Sequence, residues 1–387
     1  MAHPLSIAIA GGGIGGLTAA LALARKGMDV QIFEKSSRFN PVGAGLQLSA
    51  NALCVLDQLQ VTGLRDAGLE IDHVRIRDGL SGKDLAQIPT PADPKTVVLS
   101  RSSLHECLWQ AVQACPNILT VMDAALVDAQ DNGTSVSLTT QSGTTASADV
   151  LIGADGVWSQ TRASVSGTQP AYSGRMAWRA ALPMDQVPSG IARDTVTLWL
   201  APKAHLVTYP IDHGTSLNAV AFTQGDWNEQ GWSAPGNRDE FSASFSPWTS
   251  VVQELIDIPD QWLKWALCGV SPTHNWTKGR IALLGDAAHA MVPFMAQGAA
   301  MSIEDGAILA QMLDCATPET VPAQLKTYEI LRKSRVQRVW DQSFQQGRIY
   351  HMGGVMRLAR NSAMRFGGDA LGKRYNWIYD WRARSQQ

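Results

Sequence analysis

Leu5-Ser6-Ile7-Ala8-Ile9-Ala10 runs straight into Gly11-Gly12-Gly13-Ile14-Gly15-Gly16, and an Ala/Leu-rich stretch follows from Leu17 to Arg25. Apolar strand, G-x-G-x-x-G and helix stand here in the order that a dinucleotide-binding βαβ unit needs. Gly11 allows the tight turn, Gly13 lets the backbone approach a pyrophosphate, and Gly16 lets the helix pack close on the sheet. Gly15 lies in the first helical turn, where unpaired N–H groups and the positive end of the helix dipole meet phosphate oxygens. A second apolar strand, Asp29-Val30-Gln31-Ile32-Phe33, ends at Glu34-Lys35. An acidic side chain about 20 residues past the glycines accepts hydrogen bonds from a ribose diol and favours an adenosine without a 2′-phosphate.

The rest of the composition suits an enzyme built on that unit. The chain has 387 residues, enough for two domains or one large sheet with an elaborated second layer. Its formal charge is −2, from 32 Lys+Arg against 34 Asp+Glu, so neither a nucleic acid nor a membrane surface is an expected partner. No apolar run approaches the ~18 residues of a membrane span. The N-terminal apolar run is the first strand rather than a signal peptide, which points to the cytoplasm. Cys54, Cys107, Cys115, Cys268 and Cys315 are odd in number and scattered, without C-x-x-C, and read as reduced thiols rather than disulfides or metal ligands.

Two later segments decide which dinucleotide is bound. Ala148-Asp149-Val150-Leu151-Ile152-Gly153 is a buried strand running into Ala154-Asp155-Gly156, with Arg162 beyond. Gly279 to Leu284 is a third such strand, ending in Gly285-Asp286-Ala287-Ala288-His289. Asp286 at its carboxyl end is placed to accept from a ribitol or ribose hydroxyl. Pro293-Phe294-Met295-Ala296-Gln297-Gly298-Ala299 then opens a helix whose first N–H groups can meet the electron-rich edge of a flavin ring.

These three segments, in this order and spacing, resemble the single-component (group A) FAD-dependent aromatic hydroxylases, similar to the salicylate, 3-hydroxybenzoate and 6-hydroxynicotinate monooxygenases. The resemblance covers residues 5 to 345. It implies non-covalent FAD held by Gly11, Gly13, Gly15, Gly16, Glu34, Lys35, Arg101, Asp286 and the Gly298-Ala299 amides, with Asp155 in the turn that orients it. Gly43-Ala44-Gly45-Leu46-Gln47 resembles the loop that lets the flavin swing between open and closed positions, which adds Gly45 and Gln47. The family's chemistry is hydroxylation by NAD(P)H and O2 through a flavin C4a-hydroperoxide. NADH is expected over NADPH. No second dinucleotide fingerprint occurs, so the reductant is expected to visit the FAD domain transiently. One departure stands out: Ala296 occupies a position where many relatives carry Gly, which matters only if the backbone there needs a positive φ.

The intervening residues are expected to build a second layer. Strand-like runs at Met176–Leu182, Thr195–Leu200, His205–Ile211 and Ser216–Thr223 suggest a mainly antiparallel sheet covering the flavin. The expected fold is therefore α/β: a Rossmann-like FAD-binding domain (1–70, 99–170 and 276–320) interleaved with a substrate-binding sheet domain (71–98 and 171–275), plus a C-terminal helical region (321–387). Six tryptophans between Trp227 and Trp276 are expected to pack helices onto that sheet rather than to line a cavity. A monomer or homodimer is expected.

A hydroxylated aromatic substrate becomes a better nucleophile when it loses its phenolic proton, and histidine is the natural base. In His205-Leu206-Val207-Thr208-Tyr209 the period of two puts His205, Val207 and Tyr209 on one strand face, aimed into a cavity. The same pattern also suits a satisfied sheet histidine. By resemblance, the Pro293 carbonyl faces the reacting oxygen and Gln297 hydrogen-bonds substrate or flavin. Trp178-Arg179 offers a guanidinium for a substrate carboxylate, or an aromatic wall. His289 reads as structural, His213 as a turn residue, and His3, His73, His105, His274 and His351 give no spacing signal. Two other readings stay open: a flavoprotein monooxygenase acting on an alkene, purine or polyketide, and a non-catalytic flavin-binding sensor.

Overall fold

The computed structural model describes residues 4–39 and 45–383, the side chains of 368–371 aside. Gly43 and Ala44 of the proposed flavin loop lie outside the described residues.

The opening strand, Ser6–Ala10, is the centre of a six-stranded sheet. On one side it pairs in parallel with Asp29–Phe33, which pairs with Ile118–Val121. On the other it pairs in parallel with Val150–Gly153, then Ile281–Leu283, and an antiparallel edge strand, Thr277–Lys278, completes the sheet. Burial on both faces explains why these strands read as unbroken apolar runs rather than alternating ones. The chain leaves the central strand in opposite directions, so the crevice at the carboxyl ends of Ser6–Ala10 and Val150–Gly153 is the topological switch point where such sheets bind ligands. All three glycine-containing segments converge there. The helix Ile14–Ala24 is buried along almost its whole length and packs against Gly298–Leu313. A Cβ at Gly306 would come within 3.0 Å of the Ala19 backbone nitrogen, which is why these helices can approach so closely.

The second layer is an eight-stranded sheet in the order Ser233–Pro235, Leu263–Gly269, Ala171–Pro183, Ser216–Gln224, Ala204–Ile211, Val196–Ala201, His73–Asp78, Asp84–Pro89. All its pairings are antiparallel except that between Val196–Ala201 and His73–Asp78. Its two faces are distinguished by residue parity. One packs Trp178, Trp199, Leu206, Ala219 and Ala221 against the helices Arg238–Phe245 and Ser250–Asp257. The other face looks toward the parallel sheet. A small sheet, Gly45–Leu48, Thr96–Ser100 and Leu69–Ile71, joins the layers.

The 30-residue helix Val321–Tyr350 and the helix Gly354–Lys373 close the back. Of the six tryptophans, Trp248 and Trp262 pack the helices onto the sheet and Trp276 sits in the core of the parallel sheet. Trp232 and Trp265 instead line the cavity between the layers, contrary to expectation. They stack edge to face at 4.8 Å on the sheet's inner side.

Candidate active site

A single cavity of about 1640 Å³ runs from the switch point to the inner face of the eight-stranded sheet. Gly11, Gly13, Gly15, Glu34, Lys35, Gly45, Gln47, Arg101, Asp155, Asp286, Gly298 and Ala299 line its first part. His205, Tyr209, Arg179, Pro293 and Gln297 line its second.

The first part fits FAD. The helices beginning at Ile14 and Gly298 carry no side-chain cap, so their first N–H groups are free toward the cavity. Gly13 and Gly298 line the space, and a Cβ on either would meet no protein atom within 4 Å, so a side chain there would stand where a ligand must approach. Gly11 has φ +103°, and a Cβ on it would fall 2.6 Å from the Ala154 carbonyl oxygen. Gly16 is the exception among the fingerprint glycines: it does not line the cavity. A Cβ there would sit 2.0 Å from the Gly11 carbonyl oxygen, so its role is helix–strand contact rather than contact with the dinucleotide.

Glu34 is buried and accepts the N–H groups of Gly12 (2.8 Å) and Ser36 (3.0 Å). Its carboxylate thus shapes the glycine turn and keeps lone pairs toward the cavity. Arg101, first residue of the helix Arg101–Gln113, and Asp286, first of Asp286–His289, are exposed there and form no ion pair among the described residues. Asp155 differs. Its carboxylate accepts from the Ser159 hydroxyl, the Gln160 and Thr161 N–H groups (2.9 and 3.0 Å) and the Thr161 hydroxyl (3.0 Å). Both oxygens are committed to starting the next helix, so Asp155 sets the shape of the turn.

On the inner face, strand parity holds. Leu206 points into the outer core while His205, Val207 and Tyr209 face the cavity. His205 stacks on its cross-strand neighbour Phe222 at 4.5 Å and meets Phe294 and Tyr350 edge on. Its Nδ1 lies 2.7 Å from Nε2 of His351, and its Nε2 is buried without a partner. Burial first, then the neighbouring His351 and Arg175, hold its pKa well below the ordinary histidine value, so the ring is neutral. Burial likewise raises the Tyr209 hydroxyl well above the ordinary range, and it stays protonated.

Parity also separates Trp178 from Arg179. Trp178 lies in the outer core and donates to the Thr223 hydroxyl at 2.8 Å, so it forms no wall of the site. Arg179 turns inward, with its guanidinium 4.9 Å from the Trp265 ring. Its Nε is buried without a partner, and no carboxylate among the described residues pairs with it. Burial lowers its pKa to about 10, which leaves it charged at neutral pH.

The Gln297 side chain is engaged by partners within the protein. The side chain donates to the Ser49 hydroxyl and accepts from Asn51, both at 3.0 Å, and the residue is 2% exposed. Asn51 passes the network on to Glu304 (2.7 Å), which pairs with Arg332 and Arg335. Arg332 also binds Asp305, and Asp305 accepts from the Gly285 N–H and contacts His289 Nε2 at 2.6 Å. His289 is thus structural, as its sequence position suggests. Pro293 opens a short 3-10 turn and its carbonyl accepts the Ala296 N–H at 3.0 Å. Ala296 itself has φ +52°.

The sequence signalled neither His351 nor the Phe222–Phe294–Tyr350 enclosure. His351 follows a long helix and lies 146 residues from His205, so no period within one element could link the two.

The chain belongs to the FAD binding domain family, which matches residues 5–343. It is an FAD-dependent aromatic hydroxylase. It is 34% identical over 383 residues to 3-hydroxybenzoate 6-hydroxylase 1 of Aquipseudomonas alcaligenes, covering 96% of each chain. It is 33% identical to 6-hydroxynicotinate 3-monooxygenase of Pseudomonas fluorescens, covering 88% of this chain and 90% of that one. Among solved structures, a salicylate hydroxylase substrate complex superposes with a TM-score of 0.85 at 25% identity, over 98% of this chain and 96% of the other.

Proposed function

We propose that this enzyme hydroxylates a small phenolic or heteroaromatic acid, with NAD(P)H as reductant and O2 as oxygen source. The observation that carries the reading is an unpartnered guanidinium, Arg179, on the same cavity wall as a neutral buried imidazole, His205. The first suits a carboxylate and the second a ring hydroxyl. Relatives named for 3-hydroxybenzoate and 6-hydroxynicotinate support that substrate class.

Bound FAD would supply electron transfer from NAD(P)H and activation of O2. Gly11, Gly13, Gly15, Glu34, Lys35, Arg101 and Asp286 would hold the dinucleotide, and the Gly298 and Ala299 amides would face the electron-rich edge of its ring. His205 Nε2 accepts the substrate's hydroxyl proton, while Tyr209 positions the ring beside it. Phe222, Phe294 and Tyr350 keep water from the reacting carbon. Arg179 orients the acid. A formal charge of −2 supports a small-molecule partner rather than a polyanion. NADH is the preferred reductant and the working unit is a monomer or homodimer in the cytoplasm.

The cavity also continues past His205 along Ile76, Ile88, Leu198 and Met364, which favours a second reading: an acid carrying an apolar substituent.

The test is a panel of salicylate, 3-hydroxybenzoate, 3-amino-4-hydroxybenzoate and 6-hydroxynicotinate, with alkyl-substituted analogues. NADH and O2 consumption are measured against product. At least one acid is expected to stimulate NADH oxidation with near-stoichiometric hydroxylated product. A protein that retains FAD yet responds to no acid overturns the substrate class, and preference for an alkyl analogue selects the second reading.

A further inference from the structure

The two histidines at the sheet's inner face form a unit that no other part of the site explains. His205 lies on the strand Ala204–Ile211, and His351 caps the C-terminal end of Val321–Tyr350. Their side chains meet at 2.7 Å, and the backbone repeats the stitch, with the Lys203 N–H donating to the His351 carbonyl at 3.3 Å. Both rings are buried, at 1% and 7% exposure. His205 Nε2 and His351 Nδ1, the two outer nitrogens, are both buried without partners. No carboxylate among the described residues contacts either ring. The charged neighbours are Arg175 on the strand Ala171–Pro183 and Arg360 on the helix Gly354–Lys373, and the nearby titratable group is the protonated Tyr350.

Two neutral imidazoles joined nitrogen to nitrogen hold one shared proton and one at an outer end, so they have two directional states. In one, His205 Nδ1 donates to His351 Nε2; His205 Nε2 is then bare and His351 Nδ1 carries a proton. In the other, the direction reverses. An Asp or Glu behind His205 would stabilise an imidazolium, whereas this arrangement, flanked by arginines, disfavours one. A proton accepted at His205 Nε2 must therefore travel on.

We propose that His351 is a positioning residue for the hydroxylation. It accepts from His205 Nδ1 in the state that leaves Nε2 bare, and it relays the proton taken from the substrate. The substrate O–H bond breaks as a proton joins His205 Nε2. The His205 Nδ1 proton passes to His351 Nε2, and the His351 Nδ1 proton passes to a water that must reach this buried nitrogen from the helix end. The pair returns neutral in its opposite direction and resets by exchange with water. This rests on the reading of His205 as the base.

The experiment uses the FAD-loaded enzyme and the panel acid turned over fastest. His205→Ala is measured alongside, so failure of the base itself is seen separately. If His205→Ala hydroxylates like wild type, the base reading fails. If only the His351 variants are unaffected, the relay alone fails. His351→Gln keeps a hydrogen-bonding group at the same reach but cannot pass a proton. It is expected to retain FAD, shown by unchanged flavin absorbance, while coupled turnover falls about 10–100-fold, by analogy with the loss when the hydrogen-bond partner behind a metal-bound imidazole is removed. His351→Ala is expected to regain turnover with added imidazole but not with 1-methylimidazole, which fills the space without an N–H. Histidine 15N spectra of wild type are expected to show two neutral rings at pH 6 sharing one hydrogen-bonded proton. Wild-type turnover in His351→Gln, equal rescue by 1-methylimidazole, or two rings without a shared proton would each overturn the relay.

Discussion

At Ala296 an L-residue holds a left-handed conformation that favours glycine, and this has a physical consequence. With φ +52° and ψ +34°, an L-residue places its Cβ close to backbone oxygen, a penalty of roughly 1–2 kcal/mol that glycine avoids. Glycine's greater freedom in the unfolded chain takes back part of the gain. Ala296→Gly is expected to raise stability by about 0.5–1 kcal/mol, read as a higher midpoint in urea with an unchanged slope. A lower midpoint would show that the methyl group packs favourably enough to outweigh the strain. At Arg179, removal of the guanidinium in Arg179→Met should raise KM for the acid at least tenfold, with kcat changed less, because a charge-assisted bond made in both ground and transition state contributes to binding. An unchanged KM would place the carboxylate elsewhere. At His205, the folded pKa lies well below 6.5, so the base stays unprotonated as pH falls from 8 toward 6. The acid limb of kcat/KM for coupled hydroxylation is expected below pH 6.5, and His205→Ala is expected to lose the ~10²–10⁴ of general-base catalysis. A limb centred above 7 would contradict a desolvated base.

The elements show how far local pattern reaches. The strand Ala204–Ile211 was legible because a period of two, counted from Leu206, separates cavity-facing from core-facing residues without any knowledge of the partner strands. The same count assigns Trp178 to the outer core and Arg179 to the cavity, though from sequence alone either could have faced the site. The glycine turn was legible for a similar reason, since the requirement at Gly11 and Gly13 is local. Gly13→Val is expected to abolish FAD retention while leaving the fold, because no protein atom lies near its Cβ direction. Gly16→Val is expected to destabilise the fold itself through the Gly11 carbonyl. Circular dichroism and flavin absorbance together distinguish the two. The partners of the Gln297 side chain are not legible, because its place beside the flavin-facing helix says nothing of which way that side chain turns. Ser49 and Asn51, far away in sequence, satisfy it and draw it inward.

On the scale of the whole molecule, the helix Gly298–Leu313 is held by buried charge. Glu304 and Asp305 are fully buried, and Arg332 from the C-terminal helix answers both at 2.7 Å. Arg332→Ala would leave two carboxylates short of a partner and is expected to cost about 3–5 kcal/mol. Burial alone would raise the Asp305 pKa, but His289 and Arg332 beside the carboxylate hold it at about 2. The sign follows from a folded pKa below the ordinary 3.8: its contribution is complete above that pH and is lost as pH falls through about 2. Urea midpoints measured from pH 5 down to 2 are expected to fall for wild type and to fall less for Asp305→Asn. Equal slopes would show that other carboxylates govern acid unfolding.

The α/β class, the dinucleotide turn, the Gly-Asp segments that complete the cleft and the face on which His205 and Tyr209 lie are all readable from the order of residues. Each is written in residues close together in the chain, where strand period, helix ends and glycine stereochemistry act over a few positions. Packing of the folded chain is what puts His351 behind His205, leaves Arg179 without a counter-ion among the described residues, turns Gln297 inward and brings Trp232 and Trp265 to the cavity. Those contacts join segments separated by tens to hundreds of residues, and their energies come from burial and pairing that exist only once the sheets and C-terminal helices have closed on one another.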